Sequence, residues 1–96
     1  KVTPIYPRRA QERGIQGYSI VAFTITETGT VEDVVPLEGF CGDPTDPATE
    51  YRKCSIFNSA ASRAALKLKY KPKIVDGNAV KVFDVPHKFT FILEDA

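Results

Sequence analysis

The sequence predicts an α+β fold: one main helix packed on a small three-stranded antiparallel sheet, with a short helix near the N-terminus. Three observations carry this reading. Apolar and polar residues alternate through Gly17 to Glu27 with a strand period. Small and apolar residues from Ile56 to Leu68 recur with a helical period. A long β-rich stretch, Ala79 to Leu93, follows that helix. The predicted order is α-β-β-α-β, with the last strand at an exposed edge.

The elements follow from the chain in order. Lys1 to Ile5 reads as an extended lead-in, because Pro4 and Pro7 push the residues before them out of helical space. Pro7 suits the first turn of a short helix, Pro7 to Arg13, which Gly14 stops. In the first strand Val21, Phe23 and Ile25 share one face, and Ala22, Thr24 and Thr26 share the other. Thr28-Gly29 marks a turn into a second strand, Val31 to Leu37, where Pro36 fits an end or an edge. Ser55 is placed to cap the main helix. In that helix Ile56, Phe57, Ala60, Ala61, Ala64, Ala65 and Leu68 meet the sheet, and Asn58, Arg63 and Lys67 face water. The helix is expected to end near Lys69, with Tyr70 and Pro72 extended beyond it. Gly77-Asn78 marks a second turn. Pro86 interrupts the last strand and argues for an edge, a bulge or both.

Composition limits the function classes. A chain of 96 residues supports one domain, spanning 1–96, with one core. With 13 Lys+Arg against 12 Asp+Glu the net charge is +1, which argues against bulk electrostatic binding to nucleic acid or anionic membrane. The longest apolar run, Ile20 to Phe23, is far short of a membrane span. With no Met at its start and no leader pattern, the chain reads as a mature protein or an excised domain.

The two cysteines, Cys41 and Cys54, bracket a long stretch without hydrophobic period. By analogy with small secreted domains they fit a disulfide. Two free thiols in a reducing compartment are the alternative. Together with the distant His87 they fall short of a four-ligand metal set, and no cofactor motif occurs.

Nothing nominates a catalytic centre. His87 has no nucleophile or metal partner in the sequence and reads as an exposed edge histidine. The carboxylates Glu27, Glu32, Asp33, Glu38, Asp43, Asp46 and Glu50 read as solvated loop charge. Phe89 and Phe91 lack the basic context of an RNA-stacking sheet and read as core. Arg8, Arg9 and Arg13 read as a wet helix face.

Several motifs in order resemble one family. Tyr6-Pro7 precedes Ala10, Gly17 opens the Val21-Phe23-Ile25 strand, and Gly29-Thr30-Val31 leads to Val34. Phe57, Ala60, Ala61 and Ala64-Ala65-Leu66 run into Leu68-Lys69-Tyr70-Lys71-Pro72, and Val85-Pro86-His87-Lys88-Phe89-Thr90-Phe91-Ile92-Leu93 closes the set. This resembles the C-terminal periplasmic domain of the TonB family over nearly the whole chain. Two positions depart from the pattern: Leu68 stands where the family often has Trp, and Thr3 where well-known members have Gln. The loop between the cysteines is also longer than in familiar members.

The resemblance implies a binding domain rather than an enzyme. It implies periplasmic localisation, an anchor in the bacterial inner membrane, and a proton-driven motor complex reached through an N-terminal part. The partner it implies is the box peptide of an outer-membrane transporter for siderophore-iron, haem or cobalamin. That peptide would add as a strand beside the last strand. Carried over to this chain, the peptide-contacting residues are Lys81, Val82, Phe83, Asp84, Val85, His87 and Phe89. The weaker candidates are Thr3, Pro4, Ile5 and Tyr6. An open edge also allows an edge-to-edge homodimer. The alternative is a TolA-like or secretion-system periplasmic adaptor of the same helix-on-sheet plan.

Overall fold

The alternation in Gly17–Ile25 makes β1 the central strand of the sheet in the computed structural model, which describes residues 1–94. Its Val21, Phe23 and Ile25 are buried on one face, as expected. Val31–Cys41 forms β2 on one side of β1, and Val82–Phe91, the final strand, pairs on the other; all these pairings are antiparallel.

Among the described residues the main sheet has four strands rather than the expected three. The extra one is β3, Arg52–Lys53, which pairs with Cys41 and Phe40 of β2. It comes from inside the cysteine loop and is two exposed residues long, too short to show an alternating pattern. A separate hairpin of β4 (Lys73–Val75) and β5 (Asn78–Val80) precedes the last strand, β6 (Val82–Phe91). At its tip Asp76 and Gly77 both have positive φ, 50° and 81°, as a two-residue type I′ turn requires. The strand order of the main sheet is β3-β2-β1-β6, so β6 lies at an edge, as expected.

β2 runs past the expected end at Leu37. It does so by inserting extra residues. Ile20 pairs with Glu38 and Val21 with Pro36, which leaves Leu37 bulged. A second shift lies between Ala22, opposite Val35, and Thr24, opposite Glu32; Asp33 in this bulge has φ 54°. Aspartate tolerates that left-handed conformation better than most residues. These bulges break the strict alternation that marks a strand in sequence.

The short helix α1 spans Arg8–Glu12, one residue shorter at each end than expected. Fully buried Ala10 docks it, and Gly14, at φ 67°, turns the chain away. The main helix α2 is Asn58–Ala65 and lies over β1 and β2. Ser55 does not cap it with its side chain. Phe57 holds the N-cap position, and its buried ring stacks on Phe91 at 4.4 Å, with Tyr6 edge-on to both at 5.7 Å. Asn58, expected in water, instead accepts a 2.9 Å hydrogen bond from the fully buried Ser19 hydroxyl beneath the helix.

α2 also stops short of Lys69. The Tyr70 N–H donates to the Gly29 carbonyl at 2.8 Å, and the Tyr70 ring packs 6.0 Å from Phe23. This tie draws the chain out of the helix a turn early. It also explains Gly29. Its φ is 85°, and a Cβ there would sit 2.0 Å from the Tyr70 carbonyl oxygen. Phe89 and Phe91 join Phe23, Phe57 and the alanines of α2 in one core.

Candidate peptide-docking edge

β6 offers a backbone template. β1 occupies one side of it, and among the described residues no strand occupies the other. In an antiparallel ladder alternate residues aim N–H and C=O outward, so an edge strand presents unpaired groups at every second position. β6 has one register shift, between the pairs Val85–Phe23 and Val82–Ile25, where Asp84 takes φ 55°. From Val85 to Phe91 the register is unbroken.

The other margin is a poorer template. β3 covers β2 only at Phe40 and Cys41. The rest of β2 is broken by the Leu37 and Asp33 bulges, and it is this that separates the two margins, since Pro36 in β2 and Pro86 in β6 each lack an N–H to donate. The longest uninterrupted open run in the sheet is therefore on β6.

The sequence-nominated residues divide around that shift. Val85, His87 and Phe89 fall in the unbroken run, whereas Lys81, Val82, Phe83 and Asp84 lie before or within the bulge. Phe83 is 66% exposed, the most exposed aromatic side chain among the large hydrophobics of β6. Lys81 turns its ammonium back across β1 to Glu32 of β2, at 2.7 Å. The hydrogen bond to this carboxylate, and then its charge, raise the Lys81 pKa. Phe89 points its side chain into the core. His87 is half-buried, with its ring 4.5 Å from that of Phe89.

Thr3, Pro4, Ile5 and Tyr6 stand elsewhere. Tyr6 packs on Phe91, the last residue of β6, while Lys81 immediately precedes its first. At about 3.3 Å per residue the two clusters mark opposite ends of a long strand. The Tyr6 hydroxyl donates to the Ile15 carbonyl, and burial pushes its pKa up. Thr3, Pro4 and Ile5 line a groove against α2 rather than the β6 edge.

Sequence reasoning did not nominate Lys88, Thr90 or Phe91, whose backbones continue the unbroken edge. Their signal in the sequence is the Phe89-Thr90-Phe91 alternation, whose second face lies outside the core. Lys88 lies on the sheet face away from α2, with its ammonium 4.2 Å from the Tyr18 ring centroid.

The cysteine loop is ordered and bridged. Cys41 and Cys54 form a disulfide with Cα atoms 5.7 Å apart. Tyr51 lays its ring edge-on to Tyr18 at 5.1 Å, so the loop anchors on the face of the sheet opposite α2. Asp43 accepts from the Thr45 N–H at 2.9 Å, the Thr45 hydroxyl at 2.6 Å and the Gln16 amide at 3.2 Å. The two Thr45 bonds, with the Gln16 bond adding to them, hold the Asp43 carboxyl below its ordinary range. Asp43 and Asp46 thus act as turn formers, Asp46 accepting from the Ala48 N–H at 2.8 Å. Gln16 also accepts from the Leu93 N–H at 2.7 Å, tying the loop to the chain beyond β6.

Among the described residues there is no cluster of three or more His, Cys, Asp and Glu side chains suited to a metal ion. No helix among them is long and apolar enough to cross a membrane. What the arrangement offers is backbone pairing at a sheet edge.

Comparison with known proteins bears on the family and the fold. Residues 2–39 match the family described as Gram-negative bacterial TonB protein C-terminal. The chain is 32% identical over 77 residues to the TonB protein of Pseudomonas aeruginosa, covering 80% of this chain but only 19% of that protein's length. The solution structure of the Pseudomonas aeruginosa TonB C-terminal domain superposes with a TM-score of 0.67 at 31% identity. That match covers 97% of this chain and 81% of the other. The TonB2 protein of Vibrio anguillarum superposes with a TM-score of 0.62 at 29% identity, covering 99% of this chain and 78% of the other. Both neighbours share the small mixed fold of helices on an antiparallel sheet, and sequence and structure agree over nearly its whole length: this chain belongs to the TonB C-terminal domain family.

Proposed function

We propose that this chain is a periplasmic energy-transducing domain that captures the box peptide of an outer-membrane transporter as an added strand on β6. The observation that carries the proposal is the unbroken open register from Val85 to Phe91, set against the doubly bulged margin of β2. Ladder hydrogen bonds are made by backbone, so one domain accepts several peptide sequences. Each contributes about 0.5–1.5 kcal/mol, and under tension along the strand they share the load. Phe83 and His87 flank the edge as side-chain contacts, and Lys81, Val82 and Asp84 set where the ladder begins.

In this reading residues 1–96 act as one binding domain without catalysis. A preceding segment would anchor it in the inner membrane and connect it to a proton-driven motor, whose work drives uptake of siderophore-iron, haem or cobalamin. The same edge permits pairing with a second copy when no peptide is present. No feature of the edge favours a TolA-like or secretion-system adaptor.

The test is a titration of the isotopically labelled domain with synthetic transporter box peptides. Amide shifts concentrated in Val85 to Phe91 support the proposal. Shifts confined to β2 or to α2, or no shift with any peptide, would sink it.

A further inference from the structure

A groove of about 740 Å³ runs between the Thr3–Arg8 segment and α2. None of its lining residues belongs to β6. It is built by residue size: Ala60 and Ala64, one turn apart on α2, leave room that a longer side chain would fill. Its rim is apolar and open, with Ile5 77% exposed and Leu66 56% exposed. Isolated apolar side chains on a surface are ordinary, but apolar side chains exposed together around one concave site fit a docking surface.

The charges in the groove have one sign. Arg8, Arg63 and Lys67 line it, and no carboxylate does. Ile56, Ala60, Arg63 and Lys67 follow one another along the same side of the helix and its exit. Among the described residues the one ion pair is Lys81–Glu32, so these cations have no acidic partner among them. The chain as a whole is nearly neutral, at +1, so this concentration of cation is local rather than a product of bulk charge. A complementary ligand must bring both apolar surface and negative charge.

We propose that this groove docks an acidic amphipathic segment of a partner protein, separate from any strand added to β6. Its apolar side chains lie against Ile5, Ala60 and Leu66, and its carboxylates meet Arg8, Arg63 and Lys67. Such a second contact raises the effective concentration of a strand partner without lengthening the β6 ladder.

The probe is a fluorescein-labelled amphipathic peptide of Leu and Glu, with Leu/Lys and Ser/Glu peptides of equal length as controls. The Leu/Glu peptide is expected to bind the domain and to shift the amides of Ala60, Arg63 and Lys67, with neither control doing so. Raising the salt weakens it. Two variants separate the contributions: R63E/K67E reverses charge on exposed positions, and Ala60→Leu fills the groove without changing charge. Each is expected to weaken binding about tenfold or more while leaving box-peptide shifts on β6 unchanged. Several results would overturn the proposal. These are no binding of the Leu/Glu peptide, equal binding of the Leu/Lys peptide, or indifference to both variants. Co-sedimentation with anionic vesicles that R63E/K67E abolishes, while the peptide fails, would assign the groove to lipid instead. Concentration-dependent dimerisation lost in Ala60→Leu would assign it to a second copy.

Discussion

Removing the Cys41–Cys54 bridge tests how the longest irregular segment of this domain is held. The bond closes a loop with a sequence separation of 13. The loss of unfolded-chain entropy for a loop of that length corresponds to about 3 kcal/mol at 25 °C. Local structure leans on the bond. Cys41 is 2% exposed in the core, the Cys54 N–H donates to Gly39 at 3.0 Å, and β3 pairs only with Phe40 and Cys41. The double variant C41A/C54A avoids burying a hydroxyl where sulfur stood. For a domain of this size each kcal/mol moves Tm by about 4–8 °C, so the expected fall is about 12–24 °C. Thermal and urea unfolding by circular dichroism, on oxidised, reduced and C41A/C54A protein, reads it directly. Reduced and variant proteins should agree. A fall of less than about 4 °C with an unchanged urea slope would refute loop restriction as the source of the stabilisation.

Three further outcomes follow from single contacts. Ser19→Ala removes the donor to Asn58 beneath α2 and should cost about 1 kcal/mol in urea unfolding, with no effect on peptide binding. Gly29→Ala forces a Cβ against the Tyr70 carbonyl at φ 85°, so it should cost at least about 1–3 kcal/mol and shift the Tyr70 and Phe23 resonances; a neutral effect would contradict the Tyr70 tie. Asp43 has a folded pKa below its unfolded value, so its contribution is complete above the ordinary aspartate range and fades as pH falls through the folded pKa; Asp43→Asn should flatten the acid limb of a stability-against-pH curve, and an unchanged limb would show that the Thr45 bonds contribute nothing.

The parts of the fold legible in sequence are those where one residue pattern decides one geometry. Val21, Phe23 and Ile25 alternate without interruption, and they fill the core as read. Ala61, Ala64 and Ala65 keep a helical spacing and lie buried on the sheet. What was not legible depends on distant partners. The end of α2 is set by Gly29, far away in the chain, and Asn58 turns inward because Ser19 meets it there. β3 has two residues and borrows its strand conformation from Phe40 and Cys41. The bulges at Leu37, Asp33 and Asp84 are register events between strands, with only Pro36 and Pro86 hinting at them.

The site divides in the same way. Pro86 pointed to an edge strand, and β6 is one. The bulge at Asp84 divides the residues read from sequence, Lys81 to Val85 with His87 and Phe89, and the register is unbroken only from Val85 to Phe91. Thr3 to Tyr6, the weaker peptide-contact candidates that the family resemblance implies, line the groove on α2.

The central claim is capture of a peptide strand on β6, and hydrogen–deuterium exchange with bound box peptide tests it most directly. Strand addition pairs every outward N–H of the edge, so protection should rise at alternate residues from Val85 to Phe91, skipping Pro86, which has no N–H. The open margin of β2 should stay unchanged. Protection that rises on β2 instead, or rises nowhere on β6 while peptide is bound, would contradict the account.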